Sequence, residues 1–373
     1  MVKKTIVIAS DSFKGTISSL RVCELFKNEI NEEKINAIYI PIADGGEGSL
    51  ESISHILDGH YVDVIVHDLY FDEISTRYYV DNNYNAYIET ASCAGLTLAK
   101  KNNNPGLVTT YGLGEQIKSA IELGSKNIYI FLGGSATNDG GVGLATALGT
   151  KFYDKENNEF VPTGLALKHI AHIDNVDTEK LIQGVHIFAL ADVKSPFFGL
   201  EGAAYKFAPQ KGADPATVKE LDDGLKHLAD IVKQDLDIDI NVPGSGAAGG
   251  LGGGLYAFLS AEISSGIKTL LDLIDFKSII SRSDLVISGE GKLDLQTYDG
   301  KVIDGISKKC IEMNKPLDLI VGISEVDEKD IKTTYPCIRH IYETNEKHLP
   351  FNRVKKHAED DYIKQIRKLL DNL

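Results

Sequence analysis

Short β-branched runs recur along this chain with amphipathic stripes between them, and that alternation restricts the fold more than any other feature. The strand-like runs are 5–10, 36–42, 61–69, 77–80, 84–89, 127–132, 186–192, 284–288, 317–322 and 338–342. Helical spacing is clear over 217–234, where Val218, Leu221, Leu225, Leu228, Ile231 and Val232 share one face behind an Asp214-Pro215 start signal. It returns over 358–371 with Tyr362, Ile363, Ile366, Leu369 and Leu370. Strands alternating with helices predict an α/β class with largely parallel sheets. The stretch 61–89 differs, offering three closely spaced runs with "DNN" between the last two, which reads as an antiparallel meander. Both chain ends read as βα units and the middle is richer in glycine. This predicts one domain from 1–60 and 282–373, with a second α/β domain, 61–281, inserted.

Three strands of the terminal domain end in turns that carry chemistry. The first run leads into "DSFKG", placing Asp11, Ser12 and Lys14 at a strand-to-helix turn. The second leads into "ADGGEG", with Asp44 and Glu47; the "DLVIS" run leads into "GEGKLDLQT", with Glu290, Lys292 and Asp294. In open α/β sheets ligands bind beyond the carboxyl ends of the strands, so these turns should converge.

The middle region adds "GGSATNDGG" at 133–141, with Ser135, Thr137, Asn138 and Asp139 among four glycines before a helix. Amides at such a helix start suit an anion. Asp192 stands at the end of the 186–192 run, and Lys206, Gln210 and Lys211 follow before the next helix. "PGSGAAGGLGGG" contains GxGxxG at Gly244, Gly246 and Gly249. A nicotinamide fingerprint opens the first βα unit of its fold. A mid-chain position after only a weak run, "LDIDIN", points instead to a phosphate cradle or close backbone packing.

Composition removes other classes. The net charge of −15 disfavours nucleic acid and anionic membranes as partners. It also means that an anionic substrate needs locally concentrated lysines. Cys23, Cys93, Cys310 and Cys337 are scattered without a CxxC pair, as free thiols rather than a disulfide frame or zinc site. No run suits a membrane helix or a signal-peptide core, so a cytoplasmic enzyme is expected. P-loop, HExxH and GxSxG motifs do not occur.

Taken in order, "DSFKG", "ADGGEG", "ETASCAGL", "TTYGLGE", "GGSATNDGG", "DVKSPFFGLEGA", "PQKGA", "GAAGGLG" and "GEGKLDLQT" resemble the bacterial glycerate kinases of the first type. Ser10 stands where that family often has proline, Ser49 where it has threonine, and Ser195 where it has asparagine. The resemblance implies a flavodoxin-like domain built from both chain ends, an inserted α/β domain, and a site in the cleft between them. It implies ATP- and Mg²⁺-dependent phosphorylation of D-glycerate, commonly at the 2-hydroxyl. A kinase for another small hydroxy acid, or a silent ligand sensor, remains the alternative.

Phosphoryl transfer needs positioning and charge stabilisation more than covalent chemistry. Lys14, then Lys211 and Lys292, are the candidate anion contacts, and Asp11, Ser12, Ser135, Thr137, Asn138, Gln210 and Glu290 the other binding candidates. Asp44 and Glu47 are candidates for Mg²⁺, which takes few protein ligands. Asp139, Asp192 and Asp294 compete for the base, with Asp139 first because helix-start amides should keep it ionised.

Overall fold

A computed structural model describes residues 3–43, 46 and 48–373, and their side chains except those of Gln296 and Asp299. The strands are β1 (Lys4–Ser10), β2 (Ile35–Pro41), β3 (Gly59–His67), β4 (Glu73–Asp81), β5 (Ala86–Glu89), β6 (Asn127–Phe131), β7 (Lys151–Tyr153), β8 (Glu159–Phe160), β9 (His172–Asp174), β10 (His186–Leu190), β11 (Glu262–Ser264), β12 (Leu285–Leu293), β13 (Leu317–Ser324) and β14 (Ile338–Glu343). The chain groups into two compact units, bounded as Met1–Asp44 with Glu51–Leu57 and Ile267–Leu373, and as Gly45–Leu50 with Asp58–Gly266. The expected insertion ran on to 281. In the structure the helix Phe276–Ser281 and nearly all of Gly266–Leu273 belong to the first unit instead. The reason is packing: a Cβ on Gly305, in the helix Val302–Glu312, would lie only 2.7 Å from Ile267.

The first unit holds a five-stranded sheet in the order β14-β13-β12-β1-β2, and every neighbouring pair is parallel. Numbered within the unit, this is the 2-1-3-4-5 order of flavodoxin-like folds, with its switch point between β1 and β12. One face packs Ile6, Ile8, Ile287 and Ile320 against Phe26, Tyr362, Ile366 and Leu369. The helical stripe of 358–371 is thus a buried face of the helix Ala358–Asp371.

One motif lies differently from its sequence reading. "GEGKL" is not a turn after a short strand; β12 continues through it, and Lys292 is still paired with Ile323 of β13. Glycine makes this possible. A Cβ on Gly289 would stand 2.0 Å from the Ile320 carbonyl, so the backbones meet more closely there than any side chain would allow.

The second unit holds a six-stranded sheet in the order β11-β10-β6-β5-β4-β3. β3, β4 and β5 are antiparallel neighbours, the expected meander, while β5, β6, β10 and β11 are mutually parallel. The "DNN" turn closes on Asp81, whose carboxylate accepts from the amides of Asn83 (2.8 Å) and Asn85 (2.9 Å) and from the Tyr87 hydroxyl (3.0 Å). The helix Pro215–Leu236 starts as read, Asp214 capping the Thr217 amide at 2.7 Å. A small sheet, β8-β7-β9, was not anticipated. "LDIDIN" forms no strand, so GxGxxG does not follow one. No helix among the described residues is long and apolar enough to cross a membrane.

Candidate active site

In the first unit the switch point gathers the first and last of the acidic and lysine-bearing motifs. The Asp11 amide donates to Gly289 at 3.0 Å, joining the end of β1 to β12. Asp11 is nearly buried, and its carboxylate accepts from the Ser12 amide at 2.6 Å. The turn closes through Phe13 and Ile17, with Gly15 at φ +78° and Lys14 exposed at the tip. On β12, buried Glu290 accepts from the Thr297 hydroxyl at 2.5 Å. Lys292 lies 2.9 Å from Glu325 and 3.7 Å from Asp294, and the hydrogen bond to Glu325 raises its pKa. Lys301 approaches the other oxygen of Asp294 at 3.9 Å. Asp11, Ser12, Lys14, Glu290, Lys292 and Asp294 therefore do stand together. Asp44 and Glu47 lie outside the described residues.

The second unit gathers its candidates at the ends of the parallel strands β6 and β10, and several are buried rather than presented. Lys211 was expected to face an anion. Instead the residue is 4% exposed and its ammonium donates to Ser135 Oγ (2.8 Å) and the Thr137 carbonyl (2.7 Å). Burial pushes its pKa down to about 7, against the opposing pull of the Asp139 charge. Asn103 holds the same turn from below, donating to the carbonyls of Lys211 (2.9 Å) and Ala136 (3.3 Å). Thr137 and Asn138 are fully buried, and Thr137 Oγ1 and both amide ends of Asn138 lack a hydrogen-bond partner. Gln210 is exposed on the short turn Pro209–Lys211.

Asp139 is the clearest departure. It was placed first as the base, ionised by helix-start amides. The side chain is fully buried, one oxygen accepting from the Thr110 amide and hydroxyl (both 2.8 Å) and the other from the Gly141 amide (3.1 Å). Burial raises its pKa, and the hydrogen bonds only partly offset this. A group that takes a proton from a substrate must reach it, and this carboxylate has no exposed surface. Its visible work is to fasten the start of the helix Tyr111–Glu122 to the glycine-rich turn.

Asp192 is placed differently. As a residue it is partly exposed just beyond the end of β10; its Oδ1 accepts from Ser265 Oγ and the Gly266 amide, both at 2.9 Å, and its Oδ2 is itself buried. The glycines of 244–250 serve close packing beside it. Gly249 has φ +76°, and a Cβ there would stand 2.1 Å from the Thr137 carbonyl.

Sequence reading named no role for Thr110, Asn103 or Ser265. Thr110 carries a signal, since threonine just before a helix is a common cap. Asn103 and Ser265 carry none, because their partners are distant in the chain.

The model of the glycerate kinase family matches residues 6–372. The chain belongs to the glycerate kinase family. It is 40% identical over 324 residues to a glycerate kinase of Halalkalibacterium halodurans, covering 85% of each chain. It is 38% identical over 322 residues to the glycerate 2-kinase of Escherichia coli K12, covering 85% of this chain and 84% of that one. A crystal structure assigned to glycerate kinase 2 from Salmonella typhimurium LT2 superposes with a TM-score of 0.86 at 32% identity, covering 100% of this chain and 98% of that one. Family membership makes ATP the expected phosphate donor and a small molecule the acceptor.

Proposed function

We propose that this protein transfers the γ-phosphoryl group of ATP to D-glycerate, at the 2-hydroxyl, and that its two compact units are the two domains of the family. What carries this reading is the gathering of dispersed family motifs at the carboxyl ends of parallel strands. A loose phosphoryl-transfer transition state asks for fixed charges at that kind of position.

The roles follow from where each side chain stands and how it is held. Lys14, exposed at the tip of the first turn, is suited to an anionic oxygen of ATP or glycerate. Asp192, whose residue stands partly exposed beyond β10 and whose Oδ1 is held by Ser265 and Gly266, takes the hydroxyl proton on Oδ2, which is buried in this structure, as the new P–O bond forms. Asp139 and Lys211 are positioning residues that hold the "GGSATNDGG" turn in shape.

Among the described residues no group of three or more His, Cys, Asp or Glu could hold a metal ion. That suits Mg²⁺, which takes one or two carboxylates together with substrate phosphates. Asp11 and Glu290 at the switch point are carboxylates of this kind, and Asp44 and Glu47 remain candidates. Bound there, Mg²⁺ would neutralise charge on the phosphate oxygens.

The test is an assay with ATP, Mg²⁺ and D-glycerate, the product identified by NMR. Glycerate-dependent ADP release with 2-phosphoglycerate is expected. Folded protein that releases no ADP with glycerate, across several divalent ions, would overturn the reading. Release with a different hydroxy acid would move the substrate.

A further inference from the structure

The stretch from Lys347 to His357, "KHLPFNRVKKH", carries Lys347, Arg353, Lys355 and Lys356 and no Asp or Glu, in a chain of net charge −15. It lies in the first unit and begins where β14 ends. The Thr344 and Asn345 amides bond to Val321 and Gly322 at the end of β13, both at 2.9 Å. Asn345 then ties the loop to itself, donating to the Leu349 carbonyl (3.0 Å) and accepting from the Leu349 amide (2.8 Å). The chain next reaches the turn after β1. A Cβ on Gly15 would stand 3.1 Å from Cζ of Phe351. The stretch thus runs from the end of β13 to the turn after β1, beside the switch point.

Its side chains are presented, not packed away. Phe351 is 58% exposed and Leu349 44% exposed, and Arg353, Lys355 and Lys356 are exposed as well. Glu346, the nearest acid before the stretch, is engaged by Gln365 and Lys368 instead. An exposed aromatic ring held against a glycine, with cations on both sides and Lys14 next to that glycine, has the composition of a site for a base joined to phosphates.

We infer that this stretch is the nucleotide-holding element of the protein. Phe351 stacks on the base, and Arg353, Lys355 and Lys356 face the phosphates. The inference rests on the ATP-dependent reading above and adds to it which unit binds the nucleotide and through which side chains.

The experiment measures binding of ADP and of inorganic tripolyphosphate, each with Mg²⁺, by calorimetry. Phe351→Ala should weaken ADP about tenfold or more, as loss of base stacking does, and leave tripolyphosphate unchanged. Phe351→Tyr should restore ADP binding, and KM for glycerate should stay within about twofold in both. Lys355→Gln with Lys356→Gln should weaken both ligands and flatten their salt dependence. Unchanged ADP affinity in Phe351→Ala overturns the inference, as does an equal loss of ADP and tripolyphosphate, which would mean that the ring only shapes the turn. Wild-type protein that binds ADP through Phe351 yet phosphorylates no glycerate supports this site while overturning the proposed function. An active wild type whose Phe351→Ala variant binds ADP normally overturns this site alone.

Discussion

Two aspartates at strand or helix ends look alike in the sequence, and the way their oxygens are held distinguishes them. Asp139 is fully buried with both oxygens engaged inside the second unit, while Asp192, a partly exposed residue beyond β10, has Oδ1 held by Ser265 and Gly266 and Oδ2 buried. Asp139→Ala strands the amides of Thr110 and Gly141 and should cost about 3 kcal/mol of stability, read by urea unfolding. Asp192→Asn keeps the shape and should cut kcat about 100-fold or more while the melting temperature hardly moves. A stable Asp139→Ala protein with lost turnover and an active Asp192→Asn would restore the sequence-based assignment. Lys211 makes a further claim. Its folded pKa of about 7 lies below the ordinary 10.5, so between those values the unfolded chain binds more protons than the folded one. Stability must then rise with pH through that window, and below pH 7 the full penalty of burying the charge is present. Lys211→Met has no such group. Wild-type stability should gain on it from pH 7 to pH 9, by at most about 1.4 kcal/mol per pH unit. A constant difference over that range would mean that the ammonium titrates normally.

At the scale of the element, periodic segments were readable and closely packed backbone was not. The helices Pro215–Leu236 and Ala358–Asp371 follow their apolar stripes, because one face of each had to be buried. The meander β3-β4-β5 was legible from turn chemistry at Asp81. β12 was misread as short, since Gly-Glu-Gly has the composition of a turn. Its length is set by β13, whose Ile320 carbonyl lies where a Gly289 side chain would be. Gly289→Ala should therefore force β12 from β13 and destabilise the protein by several kcal/mol, a loss seen as a lowered thermal midpoint. An unchanged midpoint would show that the strands can separate without penalty. β7, β8 and β9 are two or three residues each, too short for any period to register.

At the scale of the molecule, the first unit is built from both chain ends, whereas the second keeps its six-stranded sheet within Asp58–Gly266. A fragment of residues 58–266 should then fold alone, with a cooperative melt and mixed α/β circular dichroism, because it retains its own core. A fragment without a cooperative transition would show that the core needs the first unit. The sequence by itself determined the α/β class, the split of the first unit between the chain ends, and which residues carry charge at strand ends. Those properties follow from local periodicity and from chain order. Only the tertiary structure decided which charges are presented and which are enclosed. Lys211 meets Ser135, Asp139 meets Thr110, and Asp192 meets Ser265 across long stretches of chain. The protonation and reach of a charged group depend on what packs around it, and no local pattern records that.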